Sequence, residues 1–166
     1  MLFRKKSEAT SLIDLHVAPF QPEGWTTNTH FFRPESWFTK ICLFKYLNFD
    51  PSKVFCFVSE KQEAGNSVEG IYLIEMLTRR FLLNANVLDH LLKHQELIPK
   101  DWFGYSIVFL GTTYTNADGK QFARYLYNDG HQWLEDSLCL KGVNRFSYKH
   151  KVPYIGLYSM LKLIRI

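Results

Sequence analysis

Hydrophobic and polar positions alternate near the start of the chain and again in its second half, and this pattern predicts strands in both places. Residues 11–17 (SLIDLHV) alternate with period two, and residues 53–58 (KVFCFV) form an apolar run of strand length. Residues 106–113 and 120–127 have the same strand-like composition. We therefore expect a short strand pair near the N-terminus and a larger set of strands toward the C-terminus.

Apolar residues recur at helical spacing in three stretches between these strands. The first helix is expected over residues 34–48, where a proline and an acid suit the first turn. The second is expected after Asn66 or Ser67, and the third after Asn84 or Asn86, because these side chains can cap a helix. The helices and strands together predict a core made of Trp37, Ile41, Phe44, Val54, Phe55, Phe57, Ile71, Ile74, Leu77, Leu88, Leu91, Ile107, Phe109, Phe122 and Leu126.

The densest polar and aromatic cluster, residues 125–133 (YLYNDGHQW), is explained by turn chemistry. Its Asn-Asp-Gly stretch, like Asp118-Gly119 in the preceding NADG, supplies the backbone conformation of a tight hairpin. His131 and Trp133 would then lie on the returning strand, with Trp133 packed across from a tyrosine. Gly111, inside the strand-like 106–113 stretch, indicates a bulge or a close backbone approach.

These elements predict an α+β fold, in which helices and a short N-terminal strand pair are followed by a C-terminal antiparallel β-meander. Residues 11–140 would form one α+β domain, and residues 141–166 a basic and apolar segment packed on it.

Composition favours a packed protein of the cytoplasm. The chain of 166 residues is 46% hydrophobic and 16% aromatic, and it has no run of about 18 uncharged apolar residues such as a membrane helix needs. Its three widely spaced cysteines make a poor disulfide framework and no metal knuckle. The net charge of +4 comes from the C-terminal segment, which holds six basic residues and no acid from residue 141 onward.

The residues that could carry chemistry are sparse, which favours a protein that is not an enzyme and has no cofactor. His90 and His94 lie four residues apart on a predicted helix, the spacing of helical zinc sites, but no third ligand is evident. Asp50 and the Glu60-Lys61 pair lack the spacing of a nuclease site and are interpreted as solvated loops. The chain has no nucleophile elbow and no phosphate loop.

The best candidate for a partner surface lies near the C-terminus. Arg145, Tyr148, Lys149 and Lys151 alternate basic and aromatic groups, a mixture that suits single-stranded nucleic acid because cations neutralise phosphates and rings stack on bases. The alternative is a strand with basic residues on its solvated face. The apolar end, residues 155–166, could bind a protein partner or a second copy of the chain.

Five stretches resemble one family of short bacterial hypothetical proteins. They are IDLHVAPFQPEGW, FVSEKQEAGNSVEG, LLNANVLDHLL, ELIPKDW and FLGTTYTNADGKQFARYLYNDGHQW, in that order, over roughly residues 12–136. The family has no known activity, fold or ligand, so the resemblance implies no functional residue. We expect a non-enzymatic interaction module, with single-stranded nucleic-acid binding as the alternative and a hydrolase or nuclease as a remote one.

Overall fold

The computed structural model describes residues 12–29, 45–142 and 145–156 of the chain. Ten strands lie in these residues: β1 (Leu12–Asp14), β2 (Thr26–Thr29), β3 (Tyr46–Asn48), β4 (Val54–Phe57), β5 (Phe81–Leu82), β6 (Ser106–Val108), β7 (Thr112–Thr115), β8 (Gln121–Asn128), β9 (Trp133–Cys139) and β10 (His150–Ile155). The α-helices of the same residues are α1 (Glu60–Glu63), α2 (Gly70–Met76) and α3 (Ala85–Lys93). Single 3₁₀ turns occupy Pro51–Lys53, Gln95–Leu97 and Lys100–Trp102.

One curled, mixed sheet of eight strands organises the molecule. Its order is β2-β7-β8-β6-β10-β4, with β5 paired to β10 and β9 paired to β8. The pairing of β10 with β6 is parallel, whereas the other pairings in the sheet are antiparallel. β1 and β3 form a separate antiparallel pair.

The predicted α+β arrangement, with helices first and a meander after them, is wrong. The described residues are mostly β, and their three helices are short, at four, seven and nine residues. β7, β8 and β9 do form an antiparallel meander, but β10 joins β6 to β4 and so brings the N-terminal strand β4 into the same sheet. The physical reason is that a short apolar run such as β4 fits beside any strand whose backbone groups are unpaired.

Gly111 divides the stretch that was predicted as one strand, residues 106–113. The chain turns between β6 and β7, where the N–H of Gly111 donates to the carbonyl oxygen of Leu83 at 3.1 Å. A Cβ atom at Gly111 would lie 2.7 Å from that same oxygen, which only glycine can tolerate. The close backbone approach expected from an isolated strand glycine is therefore present, and it ends β6 rather than bulging it.

Local turn and cap signals behave as the sequence predicts at most positions. Gly119 and Gly130 both have positive φ, and the side chain of Asn84 accepts from the N–H of Val87 as the cap of α3. The predicted caps of α2 are wrong, because its cap is Glu69, without a side-chain bond. The Glu60-Lys61 pair, interpreted as part of a solvated loop, instead lies in the helix α1, which is stabilised by a capping box between Ser59 and Gln62.

The first predicted helix, over residues 34–48, lies outside the described residues except for its last positions. There the prediction is wrong, because Tyr46–Asn48 is the strand β3 paired with β1. The predicted core residues Trp37, Ile41 and Phe44 also lie outside the described part.

The core consists of two clusters. One packs the N-terminal segment and α3 against the sheet around Leu88, Leu91 and Trp102, and the other packs α2 around Leu73 and Phe146. The predicted core residues that are fully buried are Leu77, Leu88, Leu91, Ile107, Phe109 and Leu126, and those partly buried are Val54, Phe57, Ile71, Ile74 and Phe122.

Two predictions for aromatic side chains are wrong. Phe55 is 50% exposed, and β4 lies at the end of the strand order, where only β10 pairs with it among the described strands. Trp133 lies opposite Asn128 rather than a tyrosine, and β9 begins at Trp133, so His131 still belongs to the turn. Across residues 12–29, 45–142 and 145–156, none of the helices has the length and apolar composition that a bilayer crossing requires.

Candidate binding pocket

A cavity of about 590 Å³ lies between the N-terminal segment, α3 and the strands β8 and β9. Residues 12–20 form one wall, α3 forms the other, and Arg124 and Glu135 form the floor. The described residues that line it are Leu12, Ile13, Asp14, Val17, Ala18, Phe20, Asn86, Asp89, His90, Leu92, Lys93, Arg124 and Glu135.

Two asparagines at the start of α3 hold the N-terminal wall in place. The amide of Asn84 donates to the carbonyl of Leu15 at 3.2 Å, while its oxygen caps the helix. The amide of Asn86 donates to the carbonyls of Asp14 and Val17 at 3.0 and 2.8 Å. Both asparagines are buried, and their amide groups supply hydrogen-bond donors to backbone carbonyls of the N-terminal segment.

Phe20 closes the same wall above the floor. The carboxylate of Asp89 accepts from the N–H of Phe20 at 3.1 Å, and the hydroxyl of Tyr114 donates to its carbonyl at 3.1 Å. The ring of Phe20 then lies 5.2 Å from the guanidinium carbon of Arg124. Asp89 and Tyr114 thus fix both the backbone of this wall and the position of its aromatic side chain.

Arg124 is the buried centre of an ionic triad at the floor. The residue is 3% exposed, and its Nη2 lies 2.7 Å from Oδ1 of Asp89. Its Nε and Nη2 both donate to Oε2 of Glu135, the first at 2.6 Å. Its Nη1 donates to the hydroxyl of Tyr114 at 3.4 Å. One guanidinium therefore joins α3, β7 and β9 through the strand β8.

The pKa values of the floor follow from this burial. Burial alone would lower the pKa of the Arg124 guanidinium, but its hydrogen bonds with Asp89 and Tyr114 outweigh burial and raise that pKa above its usual range. Burial also raises the pKa of the Tyr114 phenol, against the opposing effect of the hydrogen bond from Arg124. The floor consequently holds a permanent cation beside a neutral phenol at physiological pH.

Most carboxylate oxygens at the cavity are already used. Both oxygens of Asp89 are engaged, one by Arg124 and one by the N–H of Phe20. Asp14 accepts from the N–H of His16 at 2.9 Å and pairs with Lys45 at 3.6 Å. Oε1 of Glu135, in contrast, accepts no hydrogen bond from any residue that the structure describes.

The walls are apolar and open to solvent. Leu12, Val17 and Phe20 are 55%, 58% and 59% exposed, and they belong to the small set of large hydrophobic side chains exposed in the described part of the chain. Exposed apolar side chains grouped around a concavity are typical of ligand sites.

The two histidines predicted as candidate metal ligands lie close together. The rings of His90 and His94 lie 4.6 Å apart at the end of α3, and His90 lines the cavity. Nδ1 of His94 lies 3.6 Å from a carboxylate oxygen of Glu96. Within residues 12–29, 45–142 and 145–156, His, Cys, Asp and Glu side chains form no group of three or more that could hold a metal ion.

The predicted basic and aromatic surface is partly engaged within the protein. Arg145, Lys149 and Tyr148 are exposed, Tyr148 at 54%. Lys151 instead places its ammonium 3.4 Å from the ring centre of Tyr105. The apolar segment proposed for self-association, residues 155–166, lies outside the described residues beyond residue 156.

The helix α1 is attached to this surface. The amide of Gln62 donates to the carbonyls of Ser147 and His150 at 2.7 and 3.2 Å, which attaches α1 to the turn that carries Lys149. α1 carries Glu60, Lys61 and Glu63, so it attaches a helix with a net charge of −1 to this basic segment.

Sequence reasoning missed the triad of Asp89, Arg124 and Glu135. One signal was present in the sequence: Arg124 interrupts the apolar residues of a predicted strand, Phe122, Ala123 and Leu126, where a buried charge requires a partner.

No protein-family model matches the chain, and no curated protein or solved structure is significantly similar to it. The resemblance to a bacterial family therefore stays a prediction.

Proposed function

We propose that the protein is a non-enzymatic binding module, acting in the cytoplasm, whose cavity binds a small organic ligand. The observation that carries the proposal is the cavity itself. Its volume of about 590 Å³ lies within the range of roughly 300–1,000 Å³ typical of ligand sites, and apolar walls surround a few converging polar groups.

Two polar groups at the cavity, Asp89 and Arg124, are engaged in holding the fold together, which supports binding over catalysis. A general acid or base must exchange a proton with a bound substrate, but both oxygens of Asp89 are engaged in holding the floor and the wall together. Arg124 likewise uses its guanidinium to join three elements. These groups preorganise the shape of the cavity, which is what affinity for a small ligand requires.

The alternative of single-stranded nucleic-acid binding through Arg145, Tyr148, Lys149 and Lys151 has weaker support. The ring of Tyr148 is 54% exposed and open to stacking, but the ammonium of Lys151 lies against the ring of Tyr105 and is partly withdrawn from a phosphate. The helix α1, which is attached to the same turn through Gln62, has two acids and one lysine, and its net negative charge further reduces the attraction for phosphates.

A fragment screen by ligand-observed NMR tests the proposal, with one variant that fills the cavity. Ala18 lines the cavity and is exposed, so Ala18→Trp adds bulk there without removing a hydrogen bond. The matched control is Ala117→Trp, which places the same side chain in the exposed β7–β8 turn.

We expect fragments to bind the wild type and the Ala117→Trp control, and to lose binding in Ala18→Trp. A screen with no binder would contradict the proposal. So would fragments that bind Ala18→Trp as well as they bind the wild type.

A further inference from the structure

We infer that the ligand of this cavity is an organic cation, with an ammonium or guanidinium group on an apolar body. The inference rests on the proposed function, since it names the chemical class that the same cavity would bind. It is carried by the charge of the floor, by one carboxylate oxygen without a partner in the described residues, and by the apolar walls around that oxygen.

The floor carries a net negative charge. Asp89 and Glu135 contribute two negative charges, and Arg124 contributes one positive charge, which leaves one negative charge on the triad. The triad is largely withdrawn from solvent, with side-chain exposures of 22%, 33% and 4% in that order. Apolar walls around a charge focus its field into the cleft, so the cavity favours a positive ligand group.

The other charged groups of the lining do not cancel this charge at the floor. Asp14 is paired with Lys45 at 3.6 Å, so that pair is neutral. Lys93 also lines the cavity, but it is exposed on α3 and forms no ion pair with Asp89 or Glu135, so solvent screens its charge more than that of the triad.

Glu135 offers the position for the cationic group. Its Oε2 accepts two bonds from Arg124, whereas Oε1 accepts none from the described residues, so one oxygen can accept a hydrogen bond from a bound ammonium. An anionic ligand would face this oxygen with like charge. A neutral ligand would pack against the apolar walls but would gain no electrostatic attraction from the floor.

The walls supply the site for the apolar body. Leu12, Val17 and Phe20 expose more than half of their surface, and all three line the cavity. A chain of several methylene groups packed against these side chains would remove both surfaces from water. The site therefore fits an amphipathic cation better than a compact inorganic one.

Three probes with the same number of carbons test the inference: hexylamine, hexanol and hexanoate. Their dissociation constants for the wild type are measured by NMR titration at low ionic strength and neutral pH. We expect hexylamine to bind about tenfold more tightly than hexanol, the effect of roughly one charge-assisted hydrogen bond, and hexanoate to bind most weakly. Added salt should reduce the preference for hexylamine.

Glu135→Gln and Asp136→Asn are the matched variants. Glu135→Gln keeps the shape of the side chain and removes its charge, so the preference for hexylamine over hexanol should disappear. Asp136 lies next to it on β9 but faces the other side of the strand, where it accepts from the hydroxyl of Tyr125 at 3.4 Å. Asp136→Asn removes the same charge and should leave the preference intact.

The wild-type comparison needs no variant to fold, so it decides the inference by itself. If hexanol binds as tightly as hexylamine, or if fragments bind the cavity while hexylamine does not, the cationic class is wrong and the binding module stands. If neither the probes nor the fragments bind the wild type, both proposals fail. Retention of the preference in Glu135→Gln would also overturn the role given to this carboxylate.

Discussion

Replacing Arg124 with methionine is the sharpest test of what holds the pocket together. Methionine fills a similar volume, so the change removes a charge without opening a large cavity. It leaves Asp89 and Glu135 facing each other across the site where the guanidinium lay. It also removes the hydrogen bond to Tyr114 and the contact with the ring of Phe20.

The magnitude follows from burial. Breaking a buried ion pair by removing one partner costs about 3–5 kcal/mol, because the remaining charge is left desolvated. The two carboxylates here are 22% and 33% exposed, so water can reach them in part. We therefore expect the free energy of unfolding to fall by about 3 kcal/mol, the lower end of that range.

Urea unfolding at neutral pH measures this cost. Arg79, which is exposed on the loop after α2, supplies the control, and Arg79→Met should change stability by less than about 0.5 kcal/mol. The triple variant Asp89→Asn, Arg124→Met and Glu135→Gln should recover at least part of the loss, because it no longer leaves unpaired charges.

Two results would refute this reasoning. If Arg124→Met lowers the free energy of unfolding by less than about 1 kcal/mol, the ion pairs of Arg124 contribute no more than surface salt bridges do, and the structural role given to them is wrong. A triple variant as unstable as Arg124→Met would mean that the cost does not come from the unpaired carboxylates.

Three further predictions concern the backbone and pH. Gly111→Ala should lower the free energy of unfolding by about 1–3 kcal/mol in urea titrations, because the new Cβ meets a backbone carbonyl 2.7 Å away; unchanged stability would contradict this. Asn84→Ala should cost about 1–2 kcal/mol by losing the cap of α3 and a bond to the N-terminal wall, whereas Asn66→Ala at an exposed loop position should cost little. Burial lowers the pKa of His150 from 6.5, so the folded state binds fewer protons than the unfolded state, and stability present above pH 6.5 should be lost as pH falls through the lowered folded pKa. The urea midpoint of His150→Gln should depend less on pH between about 8 and 5 than that of the wild type or of the exposed control His131→Gln, and equal slopes would contradict it.

The sequence by itself determined the features that depend on neighbours a few residues apart. Gly119 and Gly130 take the positive φ that their turns predict, and Asn84 caps the helix whose spacing predicts Leu88 and Leu91 as buried. In each case the interacting groups lie within one turn of each other, so the residue types specify the geometry almost alone. For the same reason, the sequence predicts that the backbone at Gly111 approaches another segment closely, but it does not predict that this segment is Leu83.

Only the tertiary structure decided how the strands associate and where the pocket lies. Backbone hydrogen bonds between strands are the same for every residue type, so the sequence does not state that β10 pairs parallel to β6 and antiparallel to β4. The residues of the pocket are likewise brought together only by the tertiary structure. Asp89 binds the backbone of Phe20, which is 69 positions away, and meets Arg124 only because the sheet curls β8 beneath α3. A buried arginine predicts that partners exist, but the choice of Asp89 and Glu135 among 16 acidic residues depends on distances that only the folded chain sets.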